Sequence, residues 1–290
     1  TSHVVEFTKR INHVDVSPEQ WVEGGKVVIG CPGASQIAPK NMIEERIGIL
    51  GEKYGVRIVE KPEEMIGQID AVMIESVDGS VHLERARPFL EAGIPMYVDK
   101  PFTCSLTEAK ELVRLAACRK VPLFSTSSLR YGKEILELKA KEGEAGRVVG
   151  ADAYSPASLH PRNPGLFHYG IHGVEILYAL MGPGCQAVWC VWQEGAEVVT
   201  GLWKDGRIGT VRGTRAGAHS YGFIAFCEKM VVSTPIDASW IYHEMLKRIL
   251  EMFNTGKAPI EIDETVEIVA FIEAALKSSQ NDGQKVALEV

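Results

Sequence analysis

Two short stretches of the 290-residue chain combine residue types and spacing suited to chemistry. Asp99-Lys100-Pro101 directly follows the apolar run Pro95–Val98. A lysine at the carboxyl end of a strand can project into the crevice where open α/β sheets bind ligands. Pro101 has a fixed φ and stiffens the turn. The tripeptide alone reads equally well as a surface turn with a solvated lysine. The second stretch is His168-Tyr169-Gly170-Ile171-His172, which opens a largely apolar segment ending near Met181. Residues four apart share a helix face, and two imidazoles there can exchange protons near neutral pH. Glu175 extends that face to H-x3-H-x2-E, a spacing that can also hold a metal. Two partly buried histidines hydrogen-bonded within the domain form a third reading, and the residues leave all three open.

Other polar segments stand where a ligand wall would be. Ser76-Val77-Asp78-Gly79-Ser80-Val81-His82 follows the apolar run Ala71–Ile74 and reads as a cofactor wall or an ordinary βα loop. Gly30-Cys31-Pro32-Gly33-Ala34-Ser35 follows another apolar run but does not match G-x-G-x-x-G. It also lacks the Asp or Glu that commonly holds the ribose of NAD, so the coenzyme preference stays open. Ser127, Ser128 and Arg130 follow the run Val121–Ser125, at the mouth of the expected crevice. His160-Pro161-Arg162-Asn163-Pro164-Gly165 is a stiff polar loop ahead of the histidine segment. Arg162 there can clamp a carboxylate or phosphate by paired hydrogen bonds, or lie on the surface.

The elements that must position these residues follow from hydrophobic pattern. Up to about residue 125, short apolar runs alternate with helical patterns, which predicts βαβ units and a parallel sheet. Strands are expected at 26–30, 56–59, 71–74, 95–98 and 121–125, with helices over 41–54, 83–92 and from Ser105, where Glu108 completes a capping-box pattern. A helix is expected over 165–180. Five closely spaced strand-like segments then run from 186 to 233. Two are joined by Lys204-Asp205-Gly206-Arg207, a hairpin signal. Two helices close the chain, one with Ile241, Met245, Ile249 and Met252 at helical spacing and one after Asp263. The fold class is α/β: a Rossmann-like doubly wound parallel sheet over 1–125, followed by an α+β domain with an open antiparallel sheet over 126–290, expected to bind substrate and to oligomerise.

Composition excludes several classes. Apolar residues are 46% and charged residues 24%, ordinary for a globular protein and far from disordered usage. A net charge of −7 argues against a general nucleic-acid or anionic-membrane binder. No apolar run approaches the ~20 residues of a membrane span. Six scattered cysteines without a C-x-x-C pair read as free thiols in a reducing compartment. No signal peptide is visible, so a cytoplasmic location is expected. The apolar strands Val188–Trp192 and Val198–Trp203 predict a sheet face that pairs with a second copy.

In order, the features Asp70-Ala71-Val72, His82, Glu91-Ala92-Gly93, Asp99-Lys100-Pro101 and the later histidine segment resemble the Gfo/Idh/MocA oxidoreductases. The resemblance implies NAD or NADP and a sugar, polyol or related substrate. It places Thr1, Ser2, Ser76, Asp78, His82, Asp99, Lys100 and Pro101 against the coenzyme; Arg130, at the crevice mouth, and His160 and Arg162, in the polar loop, are expected toward the substrate from their own positions. Lys100 takes the lysine role beside nicotinamide and substrate. His172 takes the proton-shuttle role, and His168 occupies the position usually held by Asp, tuning or relaying. Lys100 and His172 are expected to face one cleft from two domains. No metal enters this reading, although a zinc hydrolase built on His168, His172 and Glu175 is a distant variant. An NAD-dependent glycoside hydrolase of the same superfamily and a non-catalytic sugar binder are its alternatives. Asp99 replaces the usual Glu, and the loop bearing Asp78 is one residue longer than usual. The family's first strand and Gly-rich loop do not appear, and Thr1-Ser2-His3 resembles the tail of that loop. A strand upstream of Thr1 is therefore expected, and without it the sheet would be open at its centre.

Overall fold

The computed structural model describes residues 2–290. The chain divides into two compact units, one built from the chain up to Thr103 with Thr107–Ser125 and Tyr242–Ile262, the other from Cys104–Leu106, Thr126–Ile241 and Asp263–Val290. The first half of the chain runs α1 (His3–Ile11), β1 (Ile29–Gly30), α2 (Lys40–Gly48), β2 (Arg57–Ile58), β3 (Val72–Ile74), α3 (His82–Glu91), β4 (Met96–Asp99), α4 (Leu106–Arg119) and β5 (Leu123–Thr126). Then come α5 (Lys133–Ala140), α6 (Glu142–Ala145), β6 (Val148–Pro156), α7 (Ile171–Met181), β7 (Cys185–Gln193), β8 (Ala196–Trp203), β9 (Ile208–Thr214), β10 (Gly222–Cys227), β11 (Val231–Pro235), α8 (Ile241–Thr255), α9 (Ile262–Ser279) and β12 (Val286–Ala287).

In the first unit β3 and β4 pair in parallel, with β5 on the other side of β4. Met96, Tyr97 and Val98 of β4 are all fully buried, as a strand covered on both faces requires. β1 and β2 pair in parallel as a separate hydrogen-bonded group, so the parallel strands are not one continuous ladder. Among the described residues no strand precedes α1. Helix α8 belongs to this unit, although the sequence-based division put it in the second domain. Its apolar stripe Met245, Leu246, Ile249 and Met252 is buried, and the Tyr97 hydroxyl donates to Met245 Sδ at 3.6 Å. Tyr242, just inside it, meets the rings of His3 and Phe7 edge-on. A stripe of helical periodicity shows that a face is buried but not which neighbour buries it.

The second unit carries a seven-stranded sheet in the order β11-β10-β6-β9-β8-β7-β12. It is mostly antiparallel, with β6 and β9 running parallel, where the sequence pattern predicted an antiparallel sheet throughout. Parallel neighbours need a crossover, and α7 supplies it between β6 and the β7–β9 meander. All eleven residues of α7 are buried. Its close approach to the sheet depends on Gly173, where a Cβ would stand 2.9 Å from Ser155 Oγ and 3.0 Å from Val211 Cγ1. The opposite sheet face is open. Val191, Val231 and Ile208 there are 70%, 63% and 55% exposed. Register sets Phe226 opposite Val231 and Gly150, and Gly150 opposite Ile208, so Val231, Phe226 and Ile208 lie along one row.

Candidate active site

The functional residues of the first unit gather at the carboxyl ends of β3 and β4. Ile74 pairs with Val98, so the next residues, Glu75 and Asp99, stand side by side. Asp99 is fully buried and its Oδ2 lies 2.7 Å from His3 Nδ1 on α1. Burial alone would raise this carboxyl. The charge and hydrogen bond of His3, with Lys100 beside it, outweigh burial and hold Asp99 well below the usual carboxylate range. Among the described residues Glu75 has no such partner. Burial first, and the charge of Asp99 second, push it up to about 8, and its Oε1 is buried without a hydrogen bond. Lys100 is buried and is followed by a cis bond to Pro101. Asp78 caps the short turn Gly79–Val81, accepting from Ser80 N at 3.1 Å and Ser80 Oγ at 2.6 Å. The fully buried His82 ring places Nδ1 3.0 Å from the carbonyl of Phe102 and Nε2 3.0 Å from that of Ser76. It thereby ties the loop after β3 to the turn after β4. Arg85 donates to Ser76 Oγ and to the Ala34 carbonyl, and a Cβ on Gly33 would meet its guanidinium at 2.5 Å. No carboxylate stands in the segment after β1, so a ribose or its phosphate would meet Gly33 and Arg85 there.

The second unit presents His172 in the first turn of α7. Its Nδ1 lies 2.6 Å from Ser127 Oγ, and Ser127 also accepts from Leu129 N at 3.2 Å, capping the turn Ser128–Tyr131. Tyr169 and Tyr221 meet the imidazole edge-on at centroid separations of 5.7 and 5.6 Å. Both tyrosines line a cleft of about 750 Å³ with Ser158, Leu159, His219 and Ser220. One turn along α7, Glu175 Oε2 receives Arg130 Nε at 2.8 Å, while Arg130 Nη1 lies 2.6 Å from Glu264 Oε1. Burial works against the Arg130 charge, but the two carboxylates outweigh it and raise its pKa. Burial pushes Glu175 up even beside the guanidinium. Ser127–His172 and Arg130–Glu175 thus form two rungs between the segment after β5 and α7, each spaced by three residues.

Residues 38–127 match the model of a family described as oxidoreductases with an NAD-binding Rossmann fold. The matched segment is similar to the Gfo/Idh/MocA oxidoreductases. The uncharacterized oxidoreductase YhhX of Escherichia coli strain K12 is 30% identical over 111 residues, covering 35% of this chain and 32% of that protein. The putative oxidoreductase YceM of Salmonella typhimurium is 32% identical over 97 residues, covering 33% and 31%. These matches span about a third of the length of each curated relative. Similarity of fold extends further. Scyllo-inositol dehydrogenase from Lactobacillus casei, solved with NAD(H) and scyllo-inositol, superposes with a TM-score of 0.79 at 13% identity, covering 99% of this chain and 95% of that one. An oxidoreductase from Agrobacterium radiobacter, solved with NAD+, L-tartaric acid and magnesium, gives 0.76 at 15% identity, covering 99% and 95%.

Relative to the Gfo/Idh/MocA pattern, several residues sit differently from expectation. Thr1 lies outside the described residues. Ser2 precedes α1, and its carbonyl accepts from Val5 N and Glu6 N at 3.2 and 3.0 Å. Ser76 and His82 are engaged by Arg85 and by backbone carbonyls, so His82 braces the wall. Arg130 is not at a crevice mouth. Its side chain is 4% exposed and ion-paired with two glutamates, because the polar run after β5 turns inward beneath α7. His168 is not on the His172 helix face, since α7 starts at Ile171. A short turn, Gly165–Phe167, intervenes, and Gly170 packs so tightly that a Cβ would meet Leu166 Cδ2 at 2.3 Å. The H-x3-H-x2-E face therefore does not assemble, and Glu175 faces Arg130 instead. His168 Nδ1 lies 3.5 Å from Asn163 Nδ2, and its ring is 5.4 Å from that of His160. His160 Nδ1 accepts from Arg162 N at 3.2 Å, which holds the polar loop closed. Sequence reasoning missed His3, Glu75 and Arg85 and gave Tyr169 and Tyr221 no role. Only the polar run after β5 offered a signal for the Ser127 contact.

Proposed function

We propose that this chain is an NAD(P)-dependent oxidoreductase that transfers hydride between nicotinamide C4 and the carbinol carbon of a sugar- or polyol-like substrate. The observation that carries this reading is His172, buried with its Nδ1 bound to Ser127 and flanked by two tyrosines that line a cleft, in a chain whose other unit has a Rossmann segment. Residues at the ends of β3 and β4 fit a dinucleotide: the orphaned Oε1 of Glu75 is a buried polar atom in want of a partner. Ser76, Asp78, Asp99 and Lys100 would hold the coenzyme, which supplies the hydride acceptor or donor. Each unit brings its own candidate for the chemistry at a substrate oxygen. Lys100, beside the anionic Asp99 and followed by Pro101, suits polarising one, and His172 at the start of α7 suits exchanging a proton with one. Tyr169 and Tyr221 offer ring faces, and Ser158 and Ser220 hydroxyls, beside Arg215 and His219, a lining that suits a polyhydroxylated ligand. Its assembly as a homo-oligomer through the open sheet face, and a cytoplasmic location consistent with six free cysteines, belong to the same proposal.

The test is a titration with NADH and NADPH followed by protein fluorescence, then a panel of inositols, sugars and polyols followed by nicotinamide absorbance. Net coenzyme reduction by a polyol is expected. Cleavage of glycosides without net reduction would assign the hydrolase reading instead. Absence of binding to either coenzyme would overturn the proposal.

A further inference from the structure

The loop after β1 has no acidic side chain from Cys31 through Ile43. In dinucleotide-binding folds a carboxylate at this place accepts the ribose hydroxyls of NAD, whereas a nearby arginine takes the 2′-phosphate of NADP. Arg85, in the first turn of α3, reaches this loop. Its Nη1 donates to Ser76 Oγ and its Nη2 to the Ala34 carbonyl. A Cβ on Gly33 would stand 2.5 Å from Arg85 Cζ and 2.6 Å from each of Nη1 and Nη2. An approach within the guanidinium plane would come nearer to the nitrogens than to the carbon. The flat face of the guanidinium therefore lies on Gly33, and its N–H edges point elsewhere. Of its five N–H groups, two are engaged by Ser76 and Ala34. Among the described residues half-buried Arg85 has no carboxylate in ion-pair contact. Burial pulls its pKa below the ordinary guanidinium value, against the charges of Asp78 and Glu84. On the loop itself Ser35 Oγ accepts from Ile37 N at 3.2 Å and from Ala38 N at 2.9 Å, which leaves its hydrogen for an acceptor from outside. Burial first, then the charges of Glu64 and Glu63, raise the Cys31 thiol, so these two acids are felt at the loop. Glu64 Oε1 already accepts from Lys61 N at 2.9 Å, and Glu63 is left as the rival group for a ribose hydroxyl.

We propose that this chain selects NADP(H) over NAD(H), with Arg85 holding the 2′-phosphate through its free N–H edge and Ser35 donating beside it. The inference rests on the oxidoreductase reading and adds the choice of coenzyme to it. A phosphate monoester carries nearly two negative charges at neutral pH, and a planar guanidinium binds it by paired, charge-assisted hydrogen bonds. The ribose of NAD offers only hydroxyls there, which give the half-buried cation no counter-charge. The loop after β1 has no carboxylate of its own to repel the phosphate. Ser76 and Ala34 hold the guanidinium between the loops after β3 and β1, and Gly33 lets it lie flat on the backbone. A side chain fixed in this way loses little further freedom when the ligand arrives.

The deciding measurement is the ratio of two dissociation constants, obtained by titrating the full chain with NADPH and with NADH and following protein fluorescence. NADPH should bind about 10- to 100-fold more tightly, the range expected for hydrogen bonds to a charged group. NADH bound as tightly as NADPH, or more tightly, overturns the inference, points to Glu63 at the ribose, and leaves the oxidoreductase reading standing. Binding of neither coenzyme fails that reading and the inference with it. Arg85→Gln, which keeps hydrogen-bonding capacity without the charge, should bring the ratio close to one. An arginine that only braced the two loops would weaken both coenzymes together, and a ratio held at the wild-type value in this variant overturns the assignment to Arg85. Should Arg85→Gln not fold, Arg85→Lys takes its place. It keeps the charge without the planar fork, so the ratio should fall part of the way, and an unchanged ratio again overturns the assignment.

Discussion

Replacing Arg130 with methionine tests the two-rung attachment of α7 most directly. Arg130 and Glu175 side chains are each 4% exposed, and Glu264 is 12% exposed, so the substitution leaves two carboxyls enclosed with no cation between them. Removing one partner of a buried pair costs about 3–5 kcal/mol. At about 2–4 °C per kcal/mol, the melting temperature should fall by about 6–20 °C. The pH dependence has a definite sign. Without the guanidinium, the native-state pKa of Glu175, already raised by burial, rises further. Stability is then retained at low pH and lost as pH rises toward the raised value. The penalty should therefore be larger at pH 8 than at pH 5. Urea unfolding followed by fluorescence of the buried Trp203 gives the free energies at both pH values. The triple variant Arg130→Met, Glu175→Leu, Glu264→Leu removes the charges together and should recover most of the loss, since apolar replacement of a whole buried ion cluster is often neutral. A single-variant cost below about 1 kcal/mol at pH 8, or a triple variant no better than the single, would refute the reasoning.

Glu75→Gln should leave thermal stability unchanged near pH 4 and raise it at pH 8.5. The native carboxyl, pushed up to about 8, takes up a proton that the unfolded chain releases above its ordinary carboxylate pKa, so wild-type stability erodes from there up to about pH 8; a scan showing equal pH dependence in both proteins would count against the buried, unpartnered placement. On the proposal that the open sheet face pairs with a second copy, Ile208→Lys, at one end of the apolar row, should give a lower mass than wild type by light scattering while leaving coenzyme binding intact; an unchanged mass would remove that row from the interface.

Periodicity and turn residues were enough to read much of the fold. The fully apolar runs at 72–74 and 96–98 implied strands covered on both sides, and the change to closely spaced strands after residue 185 implied a second sheet. Asp99, Lys100 and His172 were visible because a charged or basic residue at a strand end or helix start breaks an otherwise apolar pattern. Three-dimensional packing alone decided the rest. The break between Gly165–Phe167 and α7 takes His168 off the His172 face, because a close contact between Gly170 and Leu166, invisible as periodicity, interrupts the helix. Arg130 reads from sequence as a substrate contact at the crevice mouth, but Glu175 and Glu264, 45 and 134 positions away, close around it. Asp99 finds its counter-charge 96 residues away in His3. Local sequence specifies which residues can bear charge or share a helix face. Which charges become paired depends on partners that only the folded chain brings within hydrogen-bonding distance.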